Sequence, residues 1–192
     1  MRQFIFLTLT ILVFALAGCS QTRKGMTDKV SEPAVTKVVD QNIPTDKITW
    51  MTWEEAHAAN KKNPKKIFID IYTDWCGWCK KMDKSTFVDP TIIKALNRDF
   101  YAIKLDAEMK EEITFNDAVF KWTPQGRNGT HQLAHALLDG RMSFPAFVTL
   151  DEQFNRIMTS PGYKQVPQLM KELNYASTNS YKKMNLDAYS GE

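Results

Sequence analysis

Two cysteines three positions apart stand in Trp75-Cys76-Gly77-Trp78-Cys79, directly after the apolar run 67–72. A thiol pair at that spacing can close a disulfide, supply half of a metal site or carry redox chemistry. The run before it, Ile-Phe-Ile-Asp-Ile-Tyr, is rich in β-branched and aromatic residues and reads as a central strand covered on both faces. The pair therefore falls where a buried strand hands over to a helix. Cys76 is then at the helix N-terminus, where free backbone N–H groups and the positive end of the dipole favour a thiolate. In such motifs a cysteine pKa drops from ~8.5 to between ~3.5 and ~7.5. Cys79 lies one turn inside. These positions make Cys76 the attacking nucleophile and Cys79 the resolving thiol, which attacks the Cys76 sulfur of a mixed disulfide and releases the reduced substrate.

Two other uses of the pair compete. His131 and His135, spaced i, i+4, could complete a Cys2His2 zinc site from one helical face, although their separation from the cysteines matches no compact zinc module. A purely structural disulfide between residues three apart closes too small a loop to add much stability. Two further residues stand out against their surroundings. Asp70 places an acid inside an apolar strand, which costs several kcal/mol unless the group is paired, protonated or functional. Pro145 interrupts the start of the strand pattern 146–150, which fits an edge position or a special bond.

The elements that must position these residues are legible as alternating patterns. Thr52-Trp53-Glu54-Glu55 has the form of a capping box opening a helix to about Lys62, with Asn63-Pro64 as its stop. After the cysteines a helix continues over 80–86, another short one starts at Asp89-Pro90, and 100–105 reads as a second strand. The segment 108–139 reads as two helical pieces broken by 123–129. Strands at 146–150 and 156–159 follow, and Val166-Pro167 opens the last helix with Pro in its first turn. That order predicts an α/β fold: a central mixed sheet flanked by helices, with a helical insertion before the strand led by Pro145.

At 192 residues the chain has the length of one domain, and 43% hydrophobic residues with five Trp and eleven Phe supply a core. A net charge of +3 with interspersed acids and bases offers no concentrated basic face, which argues against nucleic acid as a partner. The N-terminus combines Arg2, an apolar run 4–16 too short for a comfortable membrane span, and Leu16-Ala17-Gly18-Cys19. This resembles the lipobox of bacterial lipoproteins, which implies a signal peptide over 1–18 and a lipidated Cys19. The polar stretch that follows, to residue 46, reads as a flexible tether whose ends lie about 30 Å apart. The folded domain is expected over 47–178, with a C-terminal tail over 179–192. Outside the cytoplasm disulfides form and persist, so the remaining pair, Cys76 and Cys79, is chemically permitted a redox role.

The segment from Asp70 to Lys80, with WCGWC at its centre, resembles the thioredoxin active site, with Trp78 where that family usually has Pro. Ile103-Lys104-Leu105-Asp106 resembles the next thioredoxin strand, Ser143-Phe144-Pro145-Ala146-Phe147 the cis-proline segment, and Gly162 the glycine near the last helix. The nearest subgroup is that of exported thioredoxin-like domains, including the C-terminal domain of membrane thiol-disulfide interchange proteins. The resemblance implies a protein-disulfide oxidoreductase with no cofactor beyond the Cys76–Cys79 disulfide. It makes Asp70 the buried acid that accepts the proton of Cys79, Lys104 the partner of Asp70, and Pro145 a cis-proline packed against the disulfide. Phe144 would then offer its backbone to an extended substrate, with Trp75, Gly77 and Trp78 forming the rim. The implied partners are protein thiol and disulfide clients, a membrane electron donor and, through the anchor, the membrane itself. A reductase is favoured over an oxidase or isomerase, because a buried acid and a Gly-containing CxxC resemble the reducing members. The remaining alternative is a metal-binding or scaffolding lipoprotein.

Overall fold

The computed structural model describes residues 46–125 and 128–191. The readings for the signal segment, Cys19 and the tether up to residue 45, and for Gly126 and Arg127, lie outside the described residues. In chain order the elements are strand β1 (Trp50–Met51), helix α1 (Trp53–Lys62), β2 (Lys66–Tyr72), α2 (Gly77–Lys84), a 3-10 turn (Thr86–Val88), α3 (Pro90–Asp99) and β3 (Phe100–Asp106). The insertion follows as β4 (Ile113–Phe115), β5 (Ala118–Phe120), β6 (Trp122–Thr123), β7 (Thr130–His131) and α4 (Gln132–Leu137). The chain closes with β8 (Ala146–Leu150), β9 (Arg156–Pro161), α5 (Val166–Ser177) and a 3-10 turn (Ser180–Lys182).

The main sheet runs β1-β3-β2-β8-β9, with β1, β3 and β2 parallel and β8 and β9 antiparallel to their neighbours. This is the mixed, helix-flanked sheet that the alternating pattern predicts. The near-continuous apolar run of β2 is explained by its central place, since side chains alternate between two covered faces. Ile67, Ile69 and Ile71 point into a core shared with Trp53 and Ala56 of α1 and Leu133 of α4. Phe68 points the other way, against Met82 of α2, Ile92 and Leu96 of α3, and Leu169 and Leu173 of α5. All of these are buried, and each isoleucine side chain removed from water stabilises the fold by roughly 1.5–3 kcal/mol. Asp70 and Lys104 share the Phe68 face, because they stand opposite each other in the β2–β3 register.

Local signals fix the helix starts. Thr52 Oγ1 accepts the Glu55 N–H at 3.2 Å while Glu55 Oε2 accepts the Thr52 N–H at 2.9 Å, a complete capping box. Asp89 caps α3 by accepting from Thr91 N at 2.8 Å, with Pro90 as first helical residue.

The insertion is where the helical reading gives way. Residues 113–115 and 118–120 are two short hairpin strands, and 122–123 pair with 130–131 in a second ribbon. Among the described residues of the insertion only α4, six residues long, is helical. The physical reason is turn chemistry: Asn116 and Asp117 adopt φ of 49° and 63°, the pair of left-handed residues that a two-residue hairpin requires. Ile-Thr-Phe and Ala-Val-Phe on either side then pair as strands. Trp122 lies over Gly129, whose φ is +73° and where a Cβ would meet the Trp122 ring at 2.2 Å. The end of the chain also packs: Tyr175 of α5 donates to the Met184 carbonyl at 2.6 Å and meets the Tyr189 ring at 5.5 Å.

Gly129→Ala adds both a left-handed alanine and a clash with the Trp122 ring, and is expected to destabilise the protein by about 1–3 kcal/mol. A urea midpoint equal to that of the wild type would contradict this account of the ribbon.

Candidate active site

Strand β2 ends at Tyr72, and after three intervening residues the chain turns into α2 with Cys76 as N-cap. Cys76 Sγ accepts the backbone N–H of Cys79 at 3.1 Å. The cap position is ordinarily filled by an oxygen that satisfies a free helix donor; here a sulfur does so. Cys76 and Cys79 are joined in a disulfide. Both residues are almost fully enclosed, 4% and 3% exposed, so exposure alone does not separate their roles. Cys76 alone stands at the cap, where the negative charge of a thiolate would face the helix N-terminus. Trp75 and Trp78 stand beside the disulfide with 61% and 57% of their surface exposed. Gly77 begins the helix, with open space where a Cβ would be.

Asp70 sits in the middle of β2 at 1% exposure. Lys104 Nζ on β3 lies 3.3 Å from Asp70 Oδ2 and also binds Asp83 Oδ1 of α2. The ammonium group is further surrounded by the rings of Tyr72, Trp50 and Phe87 at 5.1, 5.2 and 5.7 Å. Asp70 Oδ1 accepts no hydrogen bond among the described residues. Burial is the largest influence on Asp70 and outweighs the attraction of Lys104, so its carboxyl is pushed up to about 7. Burial works to lower Lys104, but the carboxylates of Asp70 and Asp83 overcome it and raise the ammonium above its ordinary value. No pattern in the residues singles out Asp83; its one signal is its place a turn after Cys79 on the same helix.

The Phe144–Pro145 peptide bond is cis. Pro145 is buried, its carbonyl accepts the Gly162 N–H at 2.7 Å, and the backbone N–H and C=O of Phe144 take no partner among the described residues. The Phe144 ring meets Trp75 edge-on, with centroids 6.0 Å apart. Trp75 Nε1 donates to Glu108 Oε1 at 2.9 Å, and Asn128 Nδ2 donates to the same oxygen at 3.1 Å. Trp78 packs on Tyr163 at 5.5 Å, with Lys81 Nζ 4.8 Å from its centroid. Glu108, Asn128 and Tyr163 come from loops distant in sequence, so no local pattern could have flagged them.

His131 is not arranged as a ligand of the cysteines. Its Nδ1 accepts the Leu133 N–H at 3.3 Å as the cap of α4, and its Nε2 lies 3.1 Å from the Glu111 carbonyl, which assigns the proton to Nε2. Burial lowers its pKa, in keeping with a neutral ring. His135 faces Gly140 at the end of the same short helix. Among the described residues, no group of three or more His, Cys, Asp or Glu could hold a metal ion.

Residues 37–183 match the model of the family Thioredox_DsbH, described as a protein of unknown function, DUF255. An uncharacterized protein, B0495.5, of Caenorhabditis elegans is 34% identical over 83 residues, covering 43% of this chain and 11% of that protein. The thiol:disulfide interchange protein DsbD of Pectobacterium atrosepticum is 39% identical over 44 residues, covering 23% of this chain and 8% of that protein. The matched stretches thus span about a tenth of these relatives' length. Among solved structures, a thioredoxin-fold protein from Helicobacter pylori superposes with a TM-score of 0.53 at 18% identity, over 66% of this chain and 83% of that one. The last of these establishes the fold.

The raised carboxyl of Asp70 carries a linked prediction. Below about pH 3.8 the folded and unfolded chains both hold the proton; between there and about pH 7 the unfolded chain loses it first, so stability falls as pH rises through that window. Asp70→Asn, which mimics the protonated acid, is expected to gain up to about 4 kcal/mol over the wild type at pH 8 and little at pH 4. Urea unfolding at both pH values checks this, and an equal difference at the two would contradict it.

Proposed function

The chain belongs to the Thioredox_DsbH family, and from that premise we propose that it is a thiol-disulfide oxidoreductase acting on protein disulfides outside the cytoplasm, working as a reductase. The observation that carries this reading is the Cys76–Cys79 disulfide with Cys76 sulfur capping α2. In the reduced protein the Cys76 thiolate attacks one sulfur of a client disulfide. A Cys76–client bond forms, the client S–S bond breaks, and the departing client thiolate takes a proton from solvent. Cys79 then loses its proton to the Asp70 carboxylate and attacks Cys76 sulfur. The Cys76–Cys79 bond forms as the second client thiolate leaves, so two electrons have passed to the client and the protein is left in the disulfide form.

Each remaining residue has a part in this scheme. A base near pH 7 suits proton transfer from a thiol, which is what burial makes of Asp70. Lys104 holds the Asp70 charge once it forms, and Asp83 holds Lys104. The unpaired backbone of Phe144 before Pro145 suits pairing with an extended client segment, while Trp75, Gly77 and Trp78 line the approach. Regeneration requires a second dithiol, supplied by a membrane electron donor through the reverse exchange. The lipobox-like segment ending in Cys19 supports a lipid-anchored protein on a tether.

Cys76→Ser is expected to abolish reduction of insulin disulfides, while Cys79→Ala retains the first attack and accumulates a client mixed disulfide visible on non-reducing gels. Full activity of Cys76→Ser would overturn the mechanism. Equilibration of the Cys76–Cys79 couple with glutathione is expected to give a reduction potential near that of reducing thioredoxins, about −270 mV; a value near about −120 mV would instead make the protein an oxidant.

A further inference from the structure

The insertion adds a groove of about 270 Å³ against Trp75, the residue before Cys76, lined also by Phe144 and Met142 and by Glu108, Asn128 and Thr130. Its walls are of two kinds. The indole of Trp75 and the ring of Phe144 meet edge-on, and the Met142 side chain continues the apolar surface. Glu108 faces the same space with a carboxylate whose Oε1 is held by both Trp75 and Asn128, and among the described residues Oε2 accepts no hydrogen bond. Oε1 therefore fixes the orientation of the carboxylate beside the apolar wall. Next to the groove, the charges of Glu108, Asp74 and Glu111 all act on the half-buried Asp106 carboxyl, which burial above all pushes up. Apolar and aromatic walls beside an oriented carboxylate match a side chain with a long methylene stem and a cationic end.

The second exposed tryptophan offers the reverse. Lys81 Nζ lies 4.8 Å from the Trp78 centroid and 5.1 Å from that of Tyr163, so that rim already carries a cation. The two aromatic rims beside the disulfide thus differ in charge. Resting on the exchange chemistry proposed above, we infer that the Trp75–Glu108 groove is a subsite for a lysine or arginine of the client, close to the attacked cysteine and on one side of it only. The insertion, on this account, selects clients by charge and sets the direction in which their chain crosses the disulfide.

The test uses the full chain, reduced and in detergent, with short peptides whose single cysteine is capped as a mixed disulfide with thionitrobenzoate. The peptides differ only in carrying Lys, Met or Glu two positions before or two positions after that cysteine. Attack of Cys76 on the peptide sulfur releases thionitrobenzoate, and Cys79 then frees the peptide thiol. On one side of the cysteine the rate is expected to fall in the order Lys, Met, Glu, with about fivefold between Lys and Glu at low salt and less at high salt. Glu108→Lys is expected to reverse that order. Equal rates for the three peptides at both positions, a preference for Lys on both sides alike, or an order unaltered in Glu108→Lys would overturn the subsite. Failure to react with any of the peptides would overturn the exchange reading, and the subsite with it.

Discussion

The structure turns on a carboxyl group kept in the middle of its central strand. Asp70 is flanked by four apolar positions of β2 and is out of contact with water, yet it is opposite the only strand position that can answer it, Lys104 on β3. An ion pair buried in this way is a weak source of stability, because desolvation of two charges offsets most of their attraction. Its cost is consistent with a carboxyl that stays protonated until about pH 7. The surrounding elements are placed accordingly: α2 brings Asp83 to the lysine, and β1, β2 and the turn after α2 bring Trp50, Tyr72 and Phe87 around it. The same strand delivers Cys76 to the start of α2 four residues beyond its last position, Tyr72.

Much of this was legible in the residues. The isoleucines of β2 signal a strand covered on both faces, Thr52 and Glu55 signal the start of α1, and Asp89-Pro90 that of α3, because each is a local rule satisfied by neighbours in sequence. The polar residue in an apolar run identifies Asp70 by the cost of burying it. The insertion was not legible in the same way: its strands are three residues or fewer, and the Asn116-Asp117 turn that sets them weighs little against a longer apparent helical period. Glu108, Asn128 and Tyr163 reach the site through loop geometry, which leaves no pattern in the sequence. Asp83 is intermediate, since helical spacing puts it near the cysteines but only the fold brings Lys104 to it.

The two faces of the sheet divide the labour. The layer of α2, α3 and α5, of which α2 carries the cysteines, covers the face that bears Asp70 and Lys104. The layer of α1, α4 and the hairpins supports the other face and extends a wall toward Trp75. The proposed chemistry and the proposed client choice thus fall on different parts of the chain, one on the thioredoxin-like frame and the other on the insertion. That separation allows the wall to vary without disturbing the buried acid.

The central claim is that Asp70 takes the proton from Cys79 as the mixed disulfide is resolved. Rapid mixing of the reduced protein with a stoichiometric peptide–thionitrobenzoate disulfide, followed across pH 5 to 9, tests it most directly. Thionitrobenzoate release reports formation of the Cys76–peptide bond, and the later release of the peptide thiol reports the rate of its resolution by Cys79. The rate is expected to rise with pH through an inflection near pH 7, and in Asp70→Asn to be slower and to lose that inflection. The same rate and the same pH dependence in both proteins would contradict it.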